Sequence, residues 1–210
     1  MKKLFAILLL ACLPAAVLAA GAPAGTTHEP VFVKLETSDG DVFLQLDAER
    51  APKSVANFVQ YVKDGHYDGT VFHRVIAGFM AQGGGYTTDF TEKETRAPIE
   101  NESKNGLSNR RGTISMARTN DPHSATAQWF INLVDNPRLD GSEHRWGYAV
   151  FGEVVRGMEV LDGIAVIPTG PAGPFRSDVP FRPVVIKHAA VIEALPPAEK
   201  PAGPAGKTGA

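Results

Sequence analysis

Hydrophobic and polar residues alternate over two short runs in the first third of the chain. The first run spans Val31 to Leu35 and the second spans Val42 to Leu46, with an apolar residue at every second position. This period of two is typical of a strand with one buried face. Asp39-Gly40 lies between the runs and suits a tight turn, so the pattern predicts a β-hairpin.

The next apolar residues recur at helical spacing. They run from Ala51 to Val62, with Pro52 at the start and Gly65 just past the end. Proline is favoured in the first turn of a helix and glycine just after the last, so we predict a helix here. A second, shorter helix is predicted from Met158 to Ile164.

Short apolar runs separated by glycines and polar residues fill most of the remaining chain, and Val184 to Ile192 predicts a closing strand. Many short strands with two helices favour an antiparallel barrel over a doubly wound sheet. The intervening runs are Val71-Phe72, Phe79 to Ala81, Gly112 to Met116, Trp129 to Leu133 and Tyr148 to Phe151.

The two ends of the 210-residue chain differ from this pattern. Lys2 and Lys3 precede an apolar stretch that ends in small residues, which indicates a signal peptide over 1–20. A membrane anchor is the alternative, but the stretch is broken by Pro14 and is short for a spanning helix; a lipoprotein signal at Cys12 is a second alternative. We expect a spacer at 21–30, a domain at 31–194 and a flexible Pro/Gly-rich tail at 195–210.

Composition excludes several classes of function. The formal net charge is −2, which gives no electrostatic basis for binding nucleic acid. The one cysteine, Cys12, lies inside the predicted signal, so the mature protein would have no disulfide, thiol nucleophile or cysteine-bound zinc. The histidines show no metal-ligand spacing, and neither a phosphate loop with its lysine nor a serine nucleophile elbow occurs. We therefore expect no metal and no cofactor.

Three segments carry candidate chemistry. They are Phe72 to Gly84, Ser115 to Asn132 and Trp146 to Gly152. Each segment alone could be structural, with its apolar residues in core strands and Arg74 in a salt bridge. Together and in this order, they resemble the cyclophilin family of peptidyl-prolyl cis-trans isomerases, and most closely its exported bacterial members. The resemblance extends from Val31 to Ile192.

The resemblance implies a mainly β fold: a closed eight-stranded antiparallel barrel capped by two helices, with the active site in a groove on its outer face. It assigns catalytic roles to Arg74 and Gln82. Arg138 and Tyr148 stand where many eukaryotic members have Trp and His, and Arg118 where others often have Asn. The substrate-binding positions that it implies are Phe79, Met80, Ala117, Arg118, Gln128, Phe130, Leu139 and Tyr148.

The chemistry of these residues is consistent with that activity. Rotating an X-Pro bond requires no nucleophile or metal, but a donor aimed at the prolyl nitrogen lowers the barrier, and a guanidinium stays charged in a fixed planar shape. We expect an isomerase acting on proline-containing exported proteins during folding. The alternative is a proline-peptide-binding chaperone without turnover, which would need the pocket but not Arg74. We further expect a periplasmic monomer with no membrane association after signal cleavage, or a secreted one in a Gram-positive cell.

Overall fold

The computed structural model describes residues 30–197. The predicted signal peptide, most of the spacer and most of the tail lie outside these residues. The chain forms ten strands and two helices here, together with one short 3-10 helix at Pro137–Leu139. The elements are β1 Val31–Thr37, β2 Asp41–Leu46, α1 Pro52–Lys63, β3 Arg74–Ile76, β4 Met80–Gly83, β5 Thr113–Met116, β6 Trp129–Asn132, β7 Val150–Arg156, α2 Met158–Ala165, β8 Thr169–Ala172, β9 Phe175–Pro180 and β10 Ile186–Ile192.

Eight strands form one antiparallel sheet in the order β10-β1-β2-β7-β5-β6-β4-β3. This confirms a mainly β fold with two helices but corrects one detail, because the sheet is a curled half-barrel and is not fully closed. β3 and β10 stand at its two ends and do not pair with each other. Irregular chain bridges them instead: the Gly69 N–H donates to the Ile186 carbonyl at 2.8 Å, and the Phe72 N–H donates to that of Val184 at 3.0 Å.

Both predicted helices are present at the expected positions. α1 ends in a turn closed by Gly65, at φ +66°, where the His66 N–H donates to the Tyr61 carbonyl at 3.0 Å. Its first turn is stabilised from outside the helix, since the Glu102 carboxylate accepts from the backbone N–H groups of Lys53 and Ser54 at 3.0 and 2.8 Å.

The core lies between the inner face of the sheet and the apolar sides of the helices. Trp129 of β6 is fully buried at its centre. The rings of Phe58, Tyr67 and Phe72 meet the Trp129 indole edge-on, with centroids 5.6–6.3 Å apart. This geometry is favourable for aromatic pairs and anchors β6 between α1 and the chain that precedes β3.

A two-stranded hairpin, β8–β9, was not predicted. It separates α2 from β10 and packs against β3. Its sequence, Thr169 to Pro180, is rich in proline and glycine and suggests a loop. No helix within residues 30–197 combines the length and apolar character needed to cross a membrane.

Candidate active site

Adjacent strands bring four side chains into one row across the outer face of the sheet. Arg74 of β3 is paired with Gln82 of β4, Gln82 with Phe130 of β6, and Phe130 with Ser115 of β5. Residues directly opposite each other in neighbouring strands project from the same face of a sheet. A guanidinium, an amide and an aromatic ring from distant parts of the sequence therefore lie side by side.

The neighbouring row faces the other way and belongs to the core. It consists of Val75, Ala81, Ile131 and Ile114, which are paired across the same four strands and are all buried. The alternation of side chains along a strand explains why a motif so rich in apolar residues supplies both a core and a site.

An apolar wall, formed by Met80, Phe130 and Tyr148, extends from this row. Met80 shares the outer face with Gln82, and Phe130, which is paired with Gln82, lies diagonally across from Met80 on β6. Both are almost fully buried, at 2% and 4% exposure, yet neither belongs to the core cluster. The ring of Tyr148 meets that of Phe130 edge-on at 5.5 Å. Phe79, which is half-buried, directly precedes Met80 at the start of β4.

Arg118 packs against Tyr148 on the far side of the wall. Its guanidinium carbon lies 4.7 Å from the Tyr148 ring centroid, a cation–π contact. Its N–H groups donate to the carbonyls of Gly147 and Trp146, each at 3.1 Å, and of Thr119 at 2.9 Å. Two departures from the usual family pattern, Arg118 and Tyr148, thus contact each other and form one structural unit.

Two further predicted site residues, Gln128 and Ala117, are connected to the row by hydrogen bonds of Gln128. Its side-chain oxygen accepts from Gln82 Nε2 at 2.9 Å, and its backbone carbonyl accepts from the Ala117 N–H at 3.0 Å. A Cβ at Gly85 would lie 2.7 Å from the Gln128 side chain, so glycine leaves room for this amide. At Gly84, which has a φ of +85°, an added Cβ would lie 2.7 Å from the Trp129 indole nitrogen. Both glycines therefore accommodate side chains of the protein itself.

Leu139 is held beside the groove by a buried polar network. The side-chain Oδ1 of Asn109 accepts from Ser115 Oγ at 2.7 Å and from Asn132 Nδ2 at 3.2 Å, and Asn109 Nδ2 donates to Asp140 Oδ1 at 2.9 Å. Burial would raise the pKa of Asp140, but hydrogen bonds from Ser108 and Asn109 outweigh it and lower that pKa. The network fixes the Asn136–Asp140 turn, and the Leu139 carbonyl accepts from the Tyr148 N–H at 2.9 Å.

Arg74 and the buried His73 lie next to each other at the start of β3. Arg74 Nε lies 3.5 Å from Asp178 Oδ2, and both side chains are partly exposed. The salt bridge given above as the structural alternative for Arg74 is therefore present, and the catalytic role of Arg74 stays a prediction. His73 is 2% exposed, and burial, with a smaller contribution from the charge of Arg74, lowers its pKa to about 4. Sequence reasoning missed Asp178, because nothing in its local sequence links it to Arg74.

All ten sequence-predicted site residues are therefore connected by register, by direct contact or as neighbours in sequence. Within residues 30–197, no three His, Cys, Asp or Glu side chains converge as metal ligands would. A cleft of about 530 Å³ beside the end of β2 contains none of the ten. The site is an open groove on the sheet surface, with the Arg74 guanidinium at one end of the row and the Arg118 guanidinium on the far side of the apolar wall.

The half-barrel with two helices, and this groove on its outer face, define the class of protein. The profile of the family "Cyclophilin type peptidyl-prolyl cis-trans isomerase/CLD" matches residues 32–191. The chain belongs to this family and is a peptidyl-prolyl cis-trans isomerase, whose substrates are proline-containing peptides or proteins.

Bacterial relatives match most of the chain. It is 52% identical over 176 residues to peptidyl-prolyl cis-trans isomerase A of Dickeya dadantii, covering 84% of this chain and 92% of that protein. It is 49% identical over 165 residues to peptidyl-prolyl cis-trans isomerase B of Escherichia coli, covering 77% of this chain and 100% of that one. The crystal structure of a cyclophilin type isomerase from Cryptosporidium parvum superposes with a TM-score of 0.65 at 26% identity, covering 80% of this chain and 100% of that one.

Proposed function

We propose that the groove catalyses isomerisation with two parts, a hydrogen-bond donor and an apolar pocket for the proline ring. Arg74 acts as the donor to the prolyl nitrogen, and Gln82, held by Gln128, binds the substrate backbone beside it. The proline ring occupies an apolar pocket, while the remaining residues line the groove on either side. The pocket residues are Phe79, Met80, Phe130 and Leu139; the lining residues are Ala117, Arg118 and Tyr148.

The physical basis is the electronic change at nitrogen as the peptide bond twists. In the planar bond the nitrogen lone pair takes part in resonance, which sets a barrier of about 18–20 kcal/mol. In the twisted state the lone pair is localised and can accept a hydrogen bond. A donor that binds only this state lowers the barrier, and about 7 kcal/mol of selective stabilisation corresponds to roughly 10⁵-fold acceleration.

The observation that carries the proposal is the row from Arg74 through Gln82 to Phe130. It places a permanently charged planar donor two strands away from a buried aromatic ring on the same face. With a proline ring seated on Phe130, the long Arg74 side chain would extend along the row toward the prolyl nitrogen, which is an atom of that ring. The apolar wall also reduces competition from water, which strengthens a hydrogen bond formed there.

Substitution of Arg74 tests the proposal. We expect Arg74→Ala to lower kcat/KM for an X-Pro peptide by about 10²–10³-fold, the scale for removing one preorganised donor. Arg74→Lys should restore little, since a compact ammonium does not reproduce the planar fork. Arg50→Ala is the matched control, because Arg50 is also exposed and paired with a carboxylate, that of Asp47 at 2.7 Å, away from the groove.

Peptide binding separates catalysis from the chaperone alternative. If Arg74 acts in the twisted state, calorimetry should show that Arg74→Ala binds the ground-state peptide within a few-fold of wild type while turnover falls. Near-full turnover in the folded Arg74→Ala protein would contradict the donor role and leave a binding groove whose catalysis resides elsewhere.

We further propose that the mature protein works in the periplasm as a monomer on exported proteins that are still folding. The basic residues and apolar stretch at the N-terminus support export, and relatives at about 50% identity are bacterial. Cell fractionation should recover a processed protein in the periplasm, and Leu8→Arg, which interrupts the apolar stretch, should retain it unprocessed in the cytoplasm. Light scattering should give the mass of one chain.

A further inference from the structure

The β8–β9 hairpin contacts both residues of the His73–Arg74 pair. The Phe175 ring stacks on the His73 imidazole, with centroids 5.3 Å apart and planes inclined by 24°. Three residues further along β9, Asp178 Oδ2 reaches to within 3.5 Å of Arg74 Nε. A segment without any motif of its own is thus in contact with the proposed donor and with the residue before it.

The backbone of the hairpin is unusual at the positions that matter for this contact. Phe90 and Asp178 are the non-glycine residues with positive φ in the described part of the chain, at 62° and 69°. Both meet the hairpin: Asp178 belongs to β9, and Phe90 packs on the glycine of its turn, where a Cβ at Gly173 would lie 2.6 Å from the ring. Side chains with a Cβ adopt this conformation at a cost, and Asp and Asn tolerate it better than most.

Glycine would adopt the backbone angle of residue 178 without strain, but it could not supply a carboxylate. Gln82, directly across from Arg74, donates its amide N–H to Gln128. Among residues 30–197, Asp178 is the one carboxylate paired with Arg74. The strained residue and the ion pair therefore occur at the same position, and strain retained at one position points to function.

We propose that Asp178 is a positioning residue for Arg74. Its carboxylate sits beside Nε and restrains the guanidinium plane, which leaves the terminal N–H groups free to face the prolyl nitrogen. The inference rests on the donor role proposed above for Arg74. The β8–β9 hairpin would then contribute to catalysis, although it lies outside the three segments that carry the family resemblance.

Kinetics on a neutral X-Pro peptide provide the first test. We expect Asp178→Asn to lower kcat/KM about two- to fivefold, mainly through kcat, which is the scale of a partly exposed ion pair. Asp178→Gly relieves the backbone strain and should lose the same amount, because the carboxylate is what both variants lack. Asp162→Asn is the matched control: Asp162 is an exposed carboxylate 2.8 Å from Arg111 Nη2, outside the groove, and its loss should leave turnover unchanged.

Ionic strength provides a second readout that a purely structural role would not move. Raising salt from about 0.05 to about 0.5 M screens exposed charges. Wild-type turnover should fall toward that of Asp178→Asn, while turnover of the variant stays constant. Parallel salt dependence of the two proteins would overturn the proposal.

Nuclear magnetic resonance of the Arg74 Nε–H group separates this proposal from the donor role. Its ¹⁵N heteronuclear NOE should show an ordered side chain in wild type and a more mobile one in Asp178→Asn and Asp178→Gly. If Arg74→Ala kept its activity, the donor role would be refuted. The loss of order at Arg74 in the two Asp178 variants would still be observed if Asp178 positions that side chain. Unchanged order at Arg74, or unchanged or higher turnover in both Asp178 variants, would refute positioning by Asp178.

Discussion

His73 makes the stability of the fold depend on pH, because it is buried as a neutral ring beside a permanent cation. No hydrogen bond reaches its Nδ1 within the described chain, and its ring lies between those of Tyr86, at 4.8 Å, and Phe175, at 5.3 Å. Burial and the neighbouring Arg74 lower its pKa to about 4, against 6.5 for a free histidine. Mild acidification therefore protonates His73 in the unfolded chain before it does so in the folded protein.

The sign and size of the effect follow from proton linkage. Stability decreases as the pH is lowered wherever the unfolded state binds more protons than the folded state, here between about pH 6.5 and pH 4. With those two pKa values, lowering the pH from 7.5 to 5 should reduce the free energy of unfolding by about 2 kcal/mol. Burial also lowers the pKa of His66, which adds to the loss.

His188 opposes this loss. Its hydrogen bond and charge interaction with Asp68 raise its pKa, so its contribution is fully present below about pH 6.5 and is lost as the pH rises through the raised value. Since His188 and Asp68 are exposed, we expect their contribution to be much smaller than that of His73.

Urea denaturation at pH 7.5 and pH 5, at constant ionic strength, measures the difference. His73→Gln and His73→Phe should show a decrease in unfolding free energy smaller than that of wild type by about 2 kcal/mol, whatever their absolute stabilities. His188→Gln should show a slightly larger decrease than wild type. If wild type and both His73 variants lost equal stability, His73 would not be buried as a neutral ring, and the reasoning would fail.

Four further substitutions and treatment with a chelator have expected outcomes. Phe130→Ala should weaken peptide binding and cost about 3 kcal/mol in urea unfolding, at the low end for a buried ring because the cavity opens to the groove. Arg118→Asn should raise KM about three- to tenfold in steady-state assays, since the Tyr148 wall loses its cation and three hydrogen bonds. Gly85→Ala should lower kcat/KM several-fold by displacing Gln128, whereas Gly163→Ala, in open space on α2, should keep activity and add about 0.5–1 kcal/mol to urea-unfolding stability. Turnover should be unchanged after EDTA treatment, because the proposed chemistry uses side-chain donors alone.

The first helix and the first hairpin could be predicted because their boundaries are marked by residues with a local effect on the backbone. Pro52, Gly65 and the Asp39-Gly40 turn act within a few positions, so their effect is readable without knowledge of the fold. The β8–β9 hairpin gives no such signal. It forms because its two strands pair with each other and pack on β3, which is a tertiary effect that outweighs its proline and glycine content.

The same distinction applies to the site. The resemblance to the family selected Arg74, Gln82 and Phe130 by their positions in its motifs, and the structure places them side by side on neighbouring strands. The pairing of Arg74 with Asp178 joins residues about a hundred positions apart and depends on where the hairpin docks. Incomplete closure of the sheet was likewise unpredictable, since the seam between 69–72 and 184–186 uses irregular backbone without an apolar repeat.

Strands β3, β4 and β6 place core and groove side chains at alternating positions, and this restricts how the protein can diversify. Inserting or deleting one residue in β4 would turn Gln82 inward and Ala81 outward, so the core and the groove would be lost together. Changes of specificity must therefore come from replacing side chains at fixed strand positions, or from altering the length of the turns at 136–140 and 146–148. A library that varies those turns while keeping the three strands intact would retain folding in the largest fraction of its members.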